Sequence, residues 1–117
     1  MTYFQRQKHK YGAKPITVDG IRFDSTAEAN RWFALRTLEK NDVISDLQRQ
    51  VVFPLTIETQ HGLFKRRYIA DFVYTENGKR IVEDVKGMPT ETYKVKRDLM
   101  LVLHGIVIRE TGRGRGR

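Results

Sequence analysis

Two carboxylates and an amine, Asp71, Asp84 and Lys86, have the types and spacing to hold a hard metal ion beside a cationic group. They lie in RYIADFVYTENGKRIVEDVKG, residues 67–87, where two runs rich in Val, Ile, Tyr and Phe flank Asn77-Gly78. That pair is preferred in a two-residue type I′ turn because both positions need positive φ, so the stretch reads as a β-hairpin. Counting outward from the turn sets Glu76 against Lys79, Tyr74 against Ile81, Phe72 against Glu83, and Asp71 against Asp84. Alternation then puts Asp71, Val73, Val82, Asp84 and Lys86 on one face. Ala70, Phe72, Tyr74, Ile81, Glu83 and Val85 fall on the other. Opposed residues have Cβ atoms about 4.5 to 5.5 Å apart, where like charges destabilise. A chain that keeps two carboxylates so placed is expected to give them a cation. Mg²⁺ is commonly held by one or two carboxylates, with water and phosphate oxygens completing its octahedron.

The elements that must position these residues are legible on either side. Residues 1–14 carry Arg6, Lys8, Lys10 and Lys14 and read as a flexible basic arm, either a plain terminus or a DNA contact. Ile16 to Phe23 alternates around Asp19-Gly20 as a short hairpin. A first helix is expected from Asp24 or Ser25 to about Lys40. Ser25-x-x-Glu28 fits a capping box in which the Glu28 side chain returns to the N-cap N–H. On the helical wheel, however, Glu28 lies between Trp32 and Leu35, toward the packed side. A turn-like stretch after Val43-Ile44 precedes a strand from Val51 to Glu58, which Pro54 marks as an edge or a bulge. Gln60-His61-Gly62 then turns the chain into a strand from Leu63 to Tyr74, and His61 reads as a solvated loop residue. Gly87 and Pro89 end the next strand, and Thr90 caps a second helix reaching His104, closed by Gly105. Val95, Leu99 and Val102 recur at i, i+4 and i+7 and are expected to face the sheet. Ile106 to Ile108 reads as a short buried strand. The expected fold class is α/β with a mixed sheet.

Asp71, a short hairpin, and then Asp84-Val85-Lys86 resemble the acidic residue and D/E-x-K triplet of the PD-(D/E)xK nuclease superfamily. The wider pattern of KYGAK, VDGIRFDSTAEA, YIADF, VEDVKG and a following Tyr-x-x-Lys is similar to a family of small, mostly phage-encoded proteins in that superfamily. These pieces span roughly residues 10 to 97. The resemblance departs at Ala70, where proline is common. It implies a restriction-endonuclease-like αβββαβ core, with helices flanking a central four-stranded sheet. The nuclease domain would cover residues 15–110, followed by a Gly/Arg tail at 111–117. It also implies Mg²⁺, with Mn²⁺ as a substitute, held by Asp71, Asp84 and the Val85 carbonyl, with Glu28 holding a second ion or an ordered water. Lys86 would orient the attacking water. The expected activity is endonucleolytic hydrolysis of DNA, in its specific form the resolution of branched DNA as by a Holliday-junction resolvase, which would call for a homodimer.

Six further residues are candidates for DNA contact. Tyr93, Lys94, Lys96 and Arg97 crowd the start of the second helix, while Arg66 and Arg67, next to Lys65, precede Asp71. Each group either grips phosphates or solvates its element. The chain as a whole carries 22 Lys and Arg against 14 Asp and Glu, a net charge of +8, which favours a polyanionic partner. The absence of cysteine excludes disulfide scaffolds and thiolate zinc sites. No apolar run of membrane-spanning length and no signal peptide are seen, so the expected location is the cytoplasm, that of the host cell if the protein is phage-encoded. Two rival functions stand beside the nuclease: a noncatalytic nucleic-acid-binding protein of a phage replication or recombination complex, and an interaction module whose acidic pair meets a basic partner.

Overall fold

The computed structural model describes residues 14–86 and 88–112. Residues 1–13 of the expected basic arm, Gly87 and residues 113–117 of the tail lie outside them. The elements in order are β1 (Ile16–Val18), β2 (Ile21–Phe23), α1 (Thr26–Lys40), β3 (Ser45–Thr59), β4 (Gly62–Glu76), β5 (Lys79–Val85), α2 (Glu91–His104) and β6 (Arg109–Thr111). From α1 onward this is the αβββαβ order. The main sheet is mixed, β3-β4-β5-β6, with β6 parallel to β5 and the other pairs antiparallel. No helix of the described residues is long and apolar enough to cross a membrane.

Local chemistry sets the punctuation. Asn77 (φ 53°) and Gly78 (φ 76°) make the expected turn, and Phe72 pairs with Glu83 and Glu76 with Lys79 as counted. Ser25 caps α1 by accepting the Glu28 N–H at 3.1 Å, and Thr90 caps α2 through the Tyr93 N–H. Gly105 ends α2 at φ 68°, a left-handed conformation that costs glycine nothing. Pro54 lies on β3, an edge strand, where its missing N–H leaves no ladder bond unmade.

Packing then decides the faces. Ala29, Trp32 and Leu35 of α1 bury against Phe72 and Tyr74 on one side of the sheet, with Trp32 stacked on Phe72 at 6.0 Å. Tyr93 and Met100 of α2 bury against Phe53, Leu55, Tyr68, Val73 and Val82 on the other. Burying a side chain such as Met100 or Leu35 fully contributes about 1.5–3 kcal/mol.

Several expectations are corrected. Val95 and Val102 do not face the sheet but are 57% and 77% exposed, and only Leu99 of that stripe packs partly against the core. The helix is instead anchored by Tyr93 and Met100, which also share a face at i, i+7. Val102→Ser should therefore change stability by less than about 0.5 kcal/mol in a thermal melt. Ala70 packs with Tyr68 and Val73 rather than with Phe72. The alternation slips at Asp71, where the β3–β4 ladder is interrupted: Gln50, opposite it, has φ 54° and forms no pair there. β3 begins at Ser45, not Val51, carried through its polar start by positive φ at Asp46 and Gln50 and a register shift between Ser45 and Gln48. Ile108 is buried, but Ile106 to Ile108 is not a strand, and pairing with β5 begins at Arg109. The expected tail loses its first residues to the fold: Thr111 pairs with Val85, and a Cβ on Gly112 would stand 2.8 Å from Val85 Cγ1.

Candidate active site

Asp71 and Asp84 lie where the β4–β5 ladder ends. Backbone pairing stops at Phe72 and Glu83, and the next N–H along, that of Val85, donates to Asp71 Oδ2 at 2.8 Å. Because the N–H and C=O of a residue leave a strand on the same side, the Val85 carbonyl also points toward the end of β4. The break opposite Gln50 frees Asp71 from the β3 ladder as well. Both carboxylates line a cleft of about 380 Å³, with Lys86, Tyr68, Gln50, Tyr93 and Lys96 among its walls.

Electrostatically the pair is under load. Burial, then the charge of Asp84 and a hydrogen bond shared with it, push the Asp71 carboxyl up to about 9, against the opposing pull of the Val85 N–H. Asp84 is 2% exposed, and its Oδ2 lies 3.1 Å from Lys86 Nζ, an ion pair that leaves that oxygen without an aligned hydrogen bond. The Lys86 ammonium also sits 4.5 Å above the Tyr93 ring, a cation–π contact that fixes it over the cleft. The Tyr68 hydroxyl is likewise buried without a partner, and burial followed by the Asp84 charge raises its pKa, so it remains a donor.

Two adjoining carboxylates, Asp84 buried and Asp71 half-buried, one pushed far above its ordinary pKa range and the other with an oxygen that has an ion pair but no aligned hydrogen bond, form a donor set that a hard divalent cation fits. Among the described residues no group of three or more His, Asp or Glu side chains is arranged around one ion. The protein's donors would be Asp71, Asp84 and the Val85 carbonyl, with water and substrate oxygens making up the rest.

Glu28 is 3% exposed and near enough to Asp84 to feel its charge; burial first, then the charges of Asp24 and Asp84, hold its pKa up. Both its oxygens are already engaged. Oε1 accepts the Asp24 N–H at 3.1 Å, one residue before the N-cap expected to receive it, and Oε2 accepts the Gln50 side-chain amide at 3.2 Å. Glu28 thus ties the start of α1 to β3 behind the acid pair. Sequence reasoning missed Gln50, whose only mark is a positive φ that no motif announces.

The six candidate DNA contacts divide. Arg67, Lys96 and Tyr93 line the acidic cleft, and Arg66 lies just beyond it. Lys94 is held by Glu91 at 3.2 Å. Arg97 donates to Glu110 Oε2 at 2.9 Å, an oxygen that also accepts the Tyr93 hydroxyl at 2.7 Å. Tyr93 is a core residue, 6% exposed, and its contact with the site runs through Lys86.

A second network went unread in the sequence. Glu83 is fully buried and accepts both Arg31 Nε (2.6 Å) and Nη2 (3.1 Å), the Tyr74 hydroxyl, and Thr111 Oγ1 at 2.9 Å. Burial alone would raise its pKa, but these donors hold it below the usual carboxylate range. The network clamps β5 between α1 and β6 one residue from Asp84. No curated protein matches the chain significantly. A family model described as a protein of unknown function (DUF1064) matches residues 8–105, and the chain belongs to that family.

Proposed function

We propose that this DUF1064 member is a divalent-metal-dependent DNA endonuclease of the PD-(D/E)xK type, acting in the cytoplasm of the cell that makes it. The observation that carries the reading is the Asp71–Asp84 pair with the Lys86 ammonium beside it, inside a cleft walled by Arg67 and Lys96. Mg²⁺, or Mn²⁺ in its place, would be held by Asp71, Asp84 and the Val85 carbonyl, and when bound supplies a water of lowered pKa and neutralises charge on the phosphate. Lys86 donates to the attacking water and to the phosphate oxygens as charge develops on them. The new P–O bond forms from the water oxygen, which gives up a proton to solvent, the bridging P–O bond breaks, and the departing sugar oxygen takes a proton from solvent. Tyr93 holds Lys86 in place, while Glu28 and Gln50 fix the wall behind Asp71.

Incubation of linear, supercoiled and four-way-junction DNA with Mg²⁺ and with EDTA tests the activity. Preference for the junction would support the branched-DNA form of the reading and, with symmetric cuts, a homodimer. Lys86→Ala should slow cleavage by roughly 100-fold or more while leaving Mg²⁺ affinity largely intact, because Lys86 acts on water and phosphate. Cleavage at the wild-type rate would remove Lys86 from the mechanism. The noncatalytic alternative draws on the cations beside the cleft and predicts divalent-independent binding without cutting.

A further inference from the structure

β3 and β4 outrun the rest of the sheet. β4 pairs with β5 only over Phe72 to Glu76, whereas its ladder with β3 runs from Gly62 to Thr75. The base of this two-stranded ribbon is packed under α2 through Phe53, Leu55 and Tyr68, but residues 62–67 of its outer arm are exposed throughout. Three consecutive cations, Lys65, Arg66 and Arg67, stand on that arm, and such a run repels itself. Among the described residues none of them, nor Lys96, forms an ion pair, while the neighbouring Lys94 and Arg97 both do.

These four cations line a shallow, open depression of about 410 Å³. Two of them, Arg67 and Lys96, also line the cleft that holds Asp71 and Asp84. A continuous positive track therefore leads from the acid pair onto the ribbon. Its aromatics are already engaged by cations: the Arg66 guanidinium lies over one face of Phe64 at 4.3 Å, and Lys86 and Arg97 flank the buried Tyr93. A two-stranded ribbon has the width that the major groove of a duplex admits.

We propose that Lys65, Arg66, Arg67 and Lys96 form a phosphate track that seats the backbone of double-stranded DNA on the ribbon side of the acid pair. This deepens the nuclease reading and rests on it, adding that the substrate must continue as duplex beyond the bond placed at Asp71 and Asp84.

Binding is measured in EDTA, so that no cleavage occurs, by anisotropy of a short fluorescein-labelled DNA duplex over a range of KCl. Lys65→Gln/Arg67→Gln is compared with Lys40→Gln/Lys79→Gln, which removes the same charge from exposed positions elsewhere. The track double should bind roughly tenfold or more weakly and lose about 2 from the magnitude of its log–log salt slope. Lys96→Gln alone should lose about 1, and the control double should keep the wild-type slope. Equal losses in the two doubles would mean that net charge alone attracts DNA, and overturn the track. Single-stranded DNA bound as tightly as duplex, or no binding by the wild type, would overturn it too. Track-dependent binding by a wild type that never cuts with Mg²⁺ would instead refute the hydrolytic reading and leave the track standing.

Discussion

Asp71→Asn should abolish Mg²⁺-dependent cleavage and yet make the metal-free protein harder to unfold. In the fold the Asp71 carboxyl is pushed up to about 9 by burial, by Asp84 and by Glu28, whereas in an unfolded chain it titrates near 3.9. Between those values the folded state keeps a proton that the unfolded chain has released. Wild-type stability in EDTA therefore falls as pH rises through that window, by at most about 1.4 kcal/mol per pH unit from this group. Asparagine does not titrate, and its side-chain oxygen can still accept the Val85 N–H. The variant's advantage should grow with pH and be clear at about pH 8. Excess Mg²⁺ should then stabilise the wild type by mass action and the variant far less. The measurement is a set of melting curves for both proteins, in EDTA at several pH values and with Mg²⁺. A variant less stable than wild type at the alkaline end in EDTA, or an equal response to Mg²⁺, would show that the aspartates do not share a cation.

Asp84→Asn should also abolish cutting, but without the same gain. Asp84 has Lys86 at 3.1 Å, so the substitution removes an attraction together with the repulsion. Opposition across a hairpin makes the two aspartates look equivalent in the sequence. Their surroundings make them different.

Arg31→Ala should cost about 3 kcal/mol, and lower the melting temperature by roughly 10 °C or more. It strips the bidentate partner from Glu83, which is wholly out of solvent, and leaves that charge, among the described residues, with the Tyr74 and Thr111 hydroxyls. Alanine favours the helix, so the loss is not a backbone effect. It should persist at high salt, because a buried pair is poorly screened. A loss below about 1 kcal/mol, or one that vanishes in salt, would mean that Glu83 finds another partner or takes up a proton.

Features decided within a few residues of one another were legible in the chain. Asn77-Gly78 fixes a turn, and the turn fixes by counting which residues of β4 and β5 meet; the ladder ends at Phe72 and Glu83, one step short of the expected Asp71–Asp84 pair, but the two aspartates still converge in one cleft as the count implies. Ser25, Thr90 and Gly105 set helix ends because their side chains, or the lack of one, act on the adjacent backbone. Tertiary structure decided the rest, and in each case through partners distant in sequence. Where Gln50 takes a positive φ the β3–β4 ladder is interrupted, and there the alternation of β4 slips, with Ala70 on the α2 side. Val95, Leu99 and Val102 form an apolar stripe, but α2 is held by Tyr93 and Met100 against β3 and β4, which turns Val95 and Val102 outward. Glu83 looks like an ordinary strand residue until Arg31, 52 positions away, meets it. Periodicity can say that a helix or strand has an apolar side; where two such sides compete, the packing that buries more area and satisfies the buried charges chooses between them.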